Sequence, residues 1–225
     1  MKTWLILSGM ALLASVSRAE LLAHWRFEQV QPLQGAPVPS VVGQPLTADD
    51  RRPCDPQPHA FDDSGKGNVL RVRGARPSPN VFSDQVPAPQ VDGKPNTRSL
   101  VLKRGEVVVG FERPLAYFDL RKSWMIEASL MCNLPGTEQV FLCKEGDRGQ
   151  LAGDVSVGFD NMHRKYFAEV MCADGVPRRV VAGDDVEAGR WYDVRARADY
   201  DPQNGRTTMQ VEVKPSGSAD FGTPG

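Results

Sequence analysis

Apolar and polar residues alternate with a period of two along most of the second half of the chain. From 124 to 132, Ile126, Ala128, Leu130 and Cys132 take one parity, and Met125, Glu127, Ser129 and Met131 the other. That is the spacing of a strand that buries one face. Pro135-Gly136 breaks the run and a second apolar stretch starts at Gln139, so residues 123–146 read as a central β-hairpin. Segments 154–159, 165–172, 191–200 and 206–214 follow at short intervals, and together they predict an antiparallel meander. In segment 191–200, Tyr192, Val194, Ala196, Ala198 and Tyr200 share one face; Asp193, Arg195, Arg197 and Asp199 share the other. Arg195, Arg197 and Asp199 either line a polar concave surface or form the wet side of an antiparallel sheet.

The first half is less regular. Ala23, Trp25 and Phe27 alternate with His24, Arg26 and Glu28, which predicts a half-buried first strand over 21–28. Residues 29–61 carry Pro32, Pro37, Pro39, Pro45, Pro53, Pro56 and Pro58. Proline donates no ladder hydrogen bond, so this reads as an irregular excursion. A turn cluster over 62–68, a strand over 69–73, a Pro-rich loop over 75–96 and a pair of strands at 99–102 and 106–110 complete the outline. No stretch holds an apolar 3.6 period beyond two turns.

Composition sharpens this picture in three ways. Glycine and proline number 21 and 18, ordinary for a loop-rich β-protein and high for a helical one. A formal net charge of −1 and no basic run of five or more argue against a nucleic-acid partner. Lys2, the mostly apolar stretch 4–16 and Ser17-Arg18-Ala19 have the layout of a secretion signal cut ahead of Glu20. The apolar stretch is shorter than the roughly 20 residues a membrane span needs, so no span is expected in the mature chain. The protein is expected to be secreted, at the cell surface or periplasmic.

Four cysteines are present. On the hairpin reading Cys132 lies opposite about Gln139 and Cys143 several residues away, which excludes a bridge between them. Cys132, Cys143 and Cys172 stand in apolar strand contexts and read as buried thiols. Cys-x-x-Cys is absent and three scattered His do not make a zinc set. Asp62 and Asp63, in a Ser/Gly/Asn turn, offer hard oxygen ligands suited to Ca²⁺, although the same residues are ordinary turn formers. Asn161, His163 and Arg164 form a polar turn next to Tyr166, the pairing of hydrogen-bonding groups and a flat ring that a sugar uses; it is also an ordinary exposed turn. Trp25, Trp124 and Trp191 sit among apolar neighbours and read as core rather than sugar platforms.

Several short motifs resemble one family. His24-Trp25-Arg26-Phe27-Glu28, then Asp63-Ser64-Gly65-Lys66-Gly67-Asn68, resembles the opening of laminin-G-like domains of the concanavalin A-like lectin/glucanase superfamily. Asn96-Thr97-Arg98-Ser99-Leu100 is similar to the strand that follows there. Trp124-Met125-Ile126-Glu127-Ala128 and Gly189-Arg190-Trp191-Tyr192-Asp193-Val194 are similar to two later strands. The likeness runs in family order over residues 21–214. It implies an all-β, antiparallel jelly-roll β-sandwich of concanavalin A-like type. Family domains carry one or two further strands after the counterpart of 206–214, so the fold is expected to be truncated at its C-terminal end, or the chain to be a fragment. The expected organisation is a signal peptide over 1–19, the sandwich over 20–214 and a Gly/Pro/Ser-rich tail over 215–225.

The glucanases of that superfamily place carboxylates as Glu-x-Asp-x-x-Glu on one strand, supplying acid and nucleophile. Nothing here matches, and no Gly-x-Ser-x-Gly elbow is present. The expected function is therefore a secreted, non-catalytic recognition module that binds glycan or a cell-surface partner. The other readings are an N-terminal accessory domain of a larger glycan-degrading enzyme and a purely structural domain. Ser218-Ala219-Asp220-Phe221-Gly222 resembles the start of the Asp-box turn of sialidase propellers, but Gly225 stands where that motif has an aromatic.

Overall fold

The computed structural model describes residues 23–32, 38–39, 41–43, 58–66, 69–73, 81–88, 94–101, 106–110, 122–133, 139–144, 155–160, 162–172 and 174–221. The signal segment, Cys54 and Asn161 lie outside them. Among the described residues there are strands and no helix, and every pairing between named strands is antiparallel.

The strands of the first half are short: β1 (Gln29–Pro32), β2 (Val38–Pro39), β3 (Pro58–Ala60), β4 (Val69–Arg73), β5 (Val81–Ser83), β6 (Ser99–Val101) and β7 (Glu106–Gly110). They form a five-stranded sheet in the order β2-β1-β3-β4-β7 and a two-stranded sheet, β5-β6. The excursion expected over 29–61 thus contains three strands. Pro32, Pro39 and Pro58 each stand at a strand terminus, where a missing N–H does least harm. The strands near 99 and 106 do not pair with each other: β6 pairs with β5, and β7 with β4.

The second half holds β8 (Trp124–Met131), β9 (Gln139–Lys144), β10 (Val155–Asp160), β11 (Lys165–Met171), β12 (Pro177–Val181), β13 (Trp191–Asp201) and β14 (Arg206–Pro215). Here the expected central hairpin is overturned. β8 lies beside β13 in the three-stranded sheet β14-β13-β8, whereas β9 is an edge of the four-stranded sheet β12-β11-β10-β9. Cys132 therefore does not face Gln139. The two sheets share one core: Val157, Phe159, Tyr166 and Ala168 from one, and Tyr192, Val194, Ala196, Val211 and Val213 from the other. Trp124, Ile126, Leu130, Phe141 and Leu142 pack against it. In β13 and β14 the apolar parity supplies the buried residues Tyr192, Val194, Ala196, Ala198, Val211 and Val213, with Asp193 buried from the other parity of β13. Trp124, Ile126 and Leu130 of β8 pack partly buried against this core.

β9 breaks the alternation for a local reason. Val157 faces Leu142 but Gly158 faces Val140, so Phe141 is an extra residue in the ladder. This β-bulge lets Phe141 and Leu142 both reach the core, while Val140 is 50 % exposed.

The outer face of the three-stranded sheet carries crossed charges. Register sets Glu127, Arg195 and Glu212 in one row, and Ser129, Asp193 and Lys214 in the next. Arg195 Nη2 lies 2.6 Å from Glu127 and its Nη1 3.7 Å from Glu212. Arg197 donates to Gln210. The tail folds back over this face: Phe221 lies 3.9 Å from the Arg195 guanidinium, and Lys214 Nζ donates to the Ser218 carbonyl. The Arg195–Arg197 stripe is thus a half-buried ladder of cross-strand pairs, partly roofed by its own chain.

Cys132 is a buried thiol and Cys172 a half-buried one, the latter a departure from the full burial expected. Under native conditions, alkylation followed by peptide mapping is expected to label Cys172 before Cys132. Cys132 is expected to react only in denaturant and without prior reduction. Native labelling of Cys132 at the rate of Cys172 would contradict its burial.

Candidate functional site

The segment 23–28 does not form the expected strand, and the reason lies in where its hydrogen bonds go. His24 N–H donates to Asp62 Oδ1 (2.9 Å), and Asp63 N–H donates back to the His24 carbonyl (2.8 Å). On the other side, Arg26 Nη2 donates to the Pro95 carbonyl (2.8 Å). Glu28 accepts from the N–H groups of Thr97 (2.6 Å) and Arg98 (3.3 Å) and from the Thr97 hydroxyl. Held between these two anchors, Phe27 takes a left-handed conformation with φ 61°. A bulky residue there is strained by about 1–3 kcal/mol and is retained only where its surroundings impose it.

The result is a cleft of about 150 Å³ lined by Arg26, Phe27, Glu28, Gln29, Phe61 and Asp63. Its exposed lining is mostly polar, and four of these residues, Arg26, Glu28, Gln29 and Asp63, carry hydrogen-bonding side chains. Gln29 and Asp63 are exposed, and among the described residues neither side chain makes a hydrogen bond or ion pair. Among the described residues, the Asp63 carboxylate and the Gln29 amide stand uncommitted at this cleft. Alternation places Arg26, Phe27 and Glu28 on a strand and does not show the cleft, because the Phe27 backbone leaves no trace in hydrophobic periodicity.

Asp62, expected as a calcium ligand, is buried. Its Oδ1 accepts from the N–H groups of His24 and Ser64, each at 2.9 Å. It organises an Asx turn and ties the 23–28 segment to it. Asp63 points to solvent at the cleft. No group of three or more His, Cys, Asp or Glu able to hold a metal is present among the described residues.

The second place is the β10–β11 turn. His163 and Arg164 are exposed there, Arg164 with φ 54°, and Met162 is 86 % exposed. Tyr166 is not with them. It points inward, 0 % exposed, and its hydroxyl donates to the Leu130 carbonyl at 3.3 Å. Burial raises its phenol pKa far above the ordinary value. The ring expected to stack on a sugar is a core residue. The adjacent Phe167 faces the other way and is also fully buried, roofed by the Arg179 guanidinium at 3.9 Å.

Asp160 holds this turn together. Its carboxylate accepts from His163 N–H (3.2 Å) and Arg179 Nη1 (3.4 Å) and lies 3.1 Å from His163 Nδ1. Arg179 also donates to Glu169 (2.9 Å). Burial pushes the Asp160 pKa up, but the His163 side-chain and backbone hydrogen bonds and charge outweigh it, and the pKa is lowered. A carboxylate with a depressed folded-state pKa adds stability above its unfolded pKa, about 3.9, and loses it as pH falls through the folded value. Asp160→Asn is therefore expected to lower stability at neutral pH by about 1–2 kcal/mol. The difference should shrink in melts recorded below about pH 4. A gap unchanged between neutral and acid pH would contradict the role of the ionised carboxylate.

Comparison with family models, curated proteins and solved structures returns no match to this chain.

Proposed function

We propose that the chain is a secreted, non-catalytic recognition module that binds carbohydrate, built as a concanavalin A-like jelly-roll sandwich. The observation that carries this reading is the cleft at Arg26–Gln29, Phe61 and Asp63. A sugar ring presents hydroxyls around its edge and C–H bonds on its faces. The Asp63 carboxylate and the Gln29 amide, unpartnered among the described residues, suit the hydroxyls. Two packed antiparallel layers and the motif order of the laminin-G-like family support the fold. The secretion-signal layout of residues 1–19 supports access to extracellular glycans.

The site moves from the turn at 161–166 to the cleft, because the buried Tyr166 removes the stacking surface from the turn. Asp63 serves as a hydroxyl acceptor, and Asp62 as the residue that holds the cleft wall. Calcium is no part of this reading.

A single open sugar site binds with a Kd from about tens of micromolar to millimolar, about 4–6 kcal/mol. Titration of the purified protein against a panel of soluble polysaccharides, with Ca²⁺ and with chelator, is expected to find binding in that range, insensitive to chelator and without release of reducing ends. Gln29→Ala is expected to weaken binding about fivefold, the loss of one hydrogen bond of about 1 kcal/mol. Full affinity in Gln29→Ala, or sugar release by the protein, would overturn the reading.

A further inference from the structure

We infer that the cleft selects by charge: it favours a sugar unit bearing an amino group over the same unit uncharged, and disfavours one bearing a carboxylate. This rests on the carbohydrate reading above and adds the chemical class of the ligand to it. Three charged residues line the cleft, Arg26, Glu28 and Asp63. Arg26 is engaged by the Pro95 carbonyl, and Glu28 by the N–H groups of Thr97 and Arg98 and the Thr97 hydroxyl. Those two carry opposite charges and are both held against the 95–98 segment. Asp63 is the third, exposed, with no hydrogen bond or ion pair to its carboxylate among the described residues. One cation and two anions line the cleft, so the charge a ligand meets there is net negative, and Asp63 carries its exposed part.

An ammonium group on the ring beside Asp63 gains a charge-assisted hydrogen bond. A uronate meets two like charges, Asp63 and Glu28, against the one opposite charge of Arg26, and is disfavoured. Asp63 is exposed, so the gain is that of a solvent-accessible ion pair, about threefold in affinity.

The test uses the purified protein and β-1,4-linked oligomers of equal length in gluco and galacto series, each as hexose, hexosamine and uronate. Calorimetric titration at about pH 6, where the sugar amine is charged, is expected to rank hexosamine above hexose and hexose above uronate. The amine preference should fall to about one in Asp63→Asn, and also in the parent protein at about 0.5 M salt, where exposed charges are screened. Equal affinity for hexosamine and hexose, tighter binding of uronate, or a preference that survives Asp63→Asn overturns the inference while leaving carbohydrate binding intact. No binding by any oligomer overturns both.

Discussion

Replacing Tyr166 by alanine is expected to lower the unfolding free energy by about 3–5 kcal/mol, a large part of the stability of a domain this size. Tyr166 is central to the layer shared by the two sheets. Its ring lies 5.8 Å from Phe159, 6.1 Å from Phe141 and 6.2 Å from Tyr192, all in tilted or edge-on geometry. Deleting it leaves a cavity bordered by three rings that cannot all collapse, since Phe159 and Tyr192 are fixed in different sheets. Tyr166→Phe keeps the packing and removes only the hydrogen bond to Leu130, so it is expected to cost about 1 kcal/mol. Its glycan affinity should match that of the parent. Denaturant unfolding of both variants checks this, and a loss below about 1 kcal/mol for the alanine variant would contradict the packing described.

The second large effect is expected at Gly158, in β10 on the face away from the shared core. A β-carbon there would lie 2.7 Å from the Phe167 ring and closer still to the Gln139 carbonyl oxygen. Phe167 cannot give way outward because Arg179 lies over it, itself held by Glu169 and Asp160. The carbonyl is backbone, in the ladder next to the bulge, and moves only if β9 moves. Gly158→Ala is expected to cost about 3 kcal/mol, the upper end of overpacking effects. Val140, opposite Gly158 and half exposed, provides the control: Val140→Ala is expected to stay within about 1 kcal/mol of the parent. A Gly158→Ala variant as stable as Val140→Ala would contradict the close approach.

What the sequence made legible follows from what periodicity encodes. Alternation says which face of a strand turns to the core, and it does so for β8, β13 and β14. It does not say which strand lies alongside, because register and partner are set by packing. The loop at Pro135-Gly136 suits a hairpin and a crossing between sheets equally, and β8 and β9 were paired for that reason. β12 is not among the expected strands; its leading proline and charged residues are what an edge strand carries. The bulge at Phe141 puts two consecutive apolar residues on one side, which a strict period of two cannot express.

At the candidate site, the sequence located the turn over 62–68 and the polar tip at His163 and Arg164. It placed Tyr166 beside that tip because the two are neighbours in the chain. Residue 166 has the inward parity of Ala168, and both belong to the core. The cleft itself was not legible: it depends on Phe27 at positive φ and on Glu28 and Arg26 reaching the 95–98 segment, some 70 residues away in sequence.

The most direct test of the central claim is a map of where sugar meets the protein. Backbone amide shifts of ¹⁵N-labelled protein, followed during titration with the tightest-binding oligosaccharide, are expected to move at Arg26, Phe27, Glu28, Gln29, Phe61 and Asp63, and to stay still at Met162, His163 and Arg164. Shifts centred on 162–164 with the cleft unmoved would contradict the account.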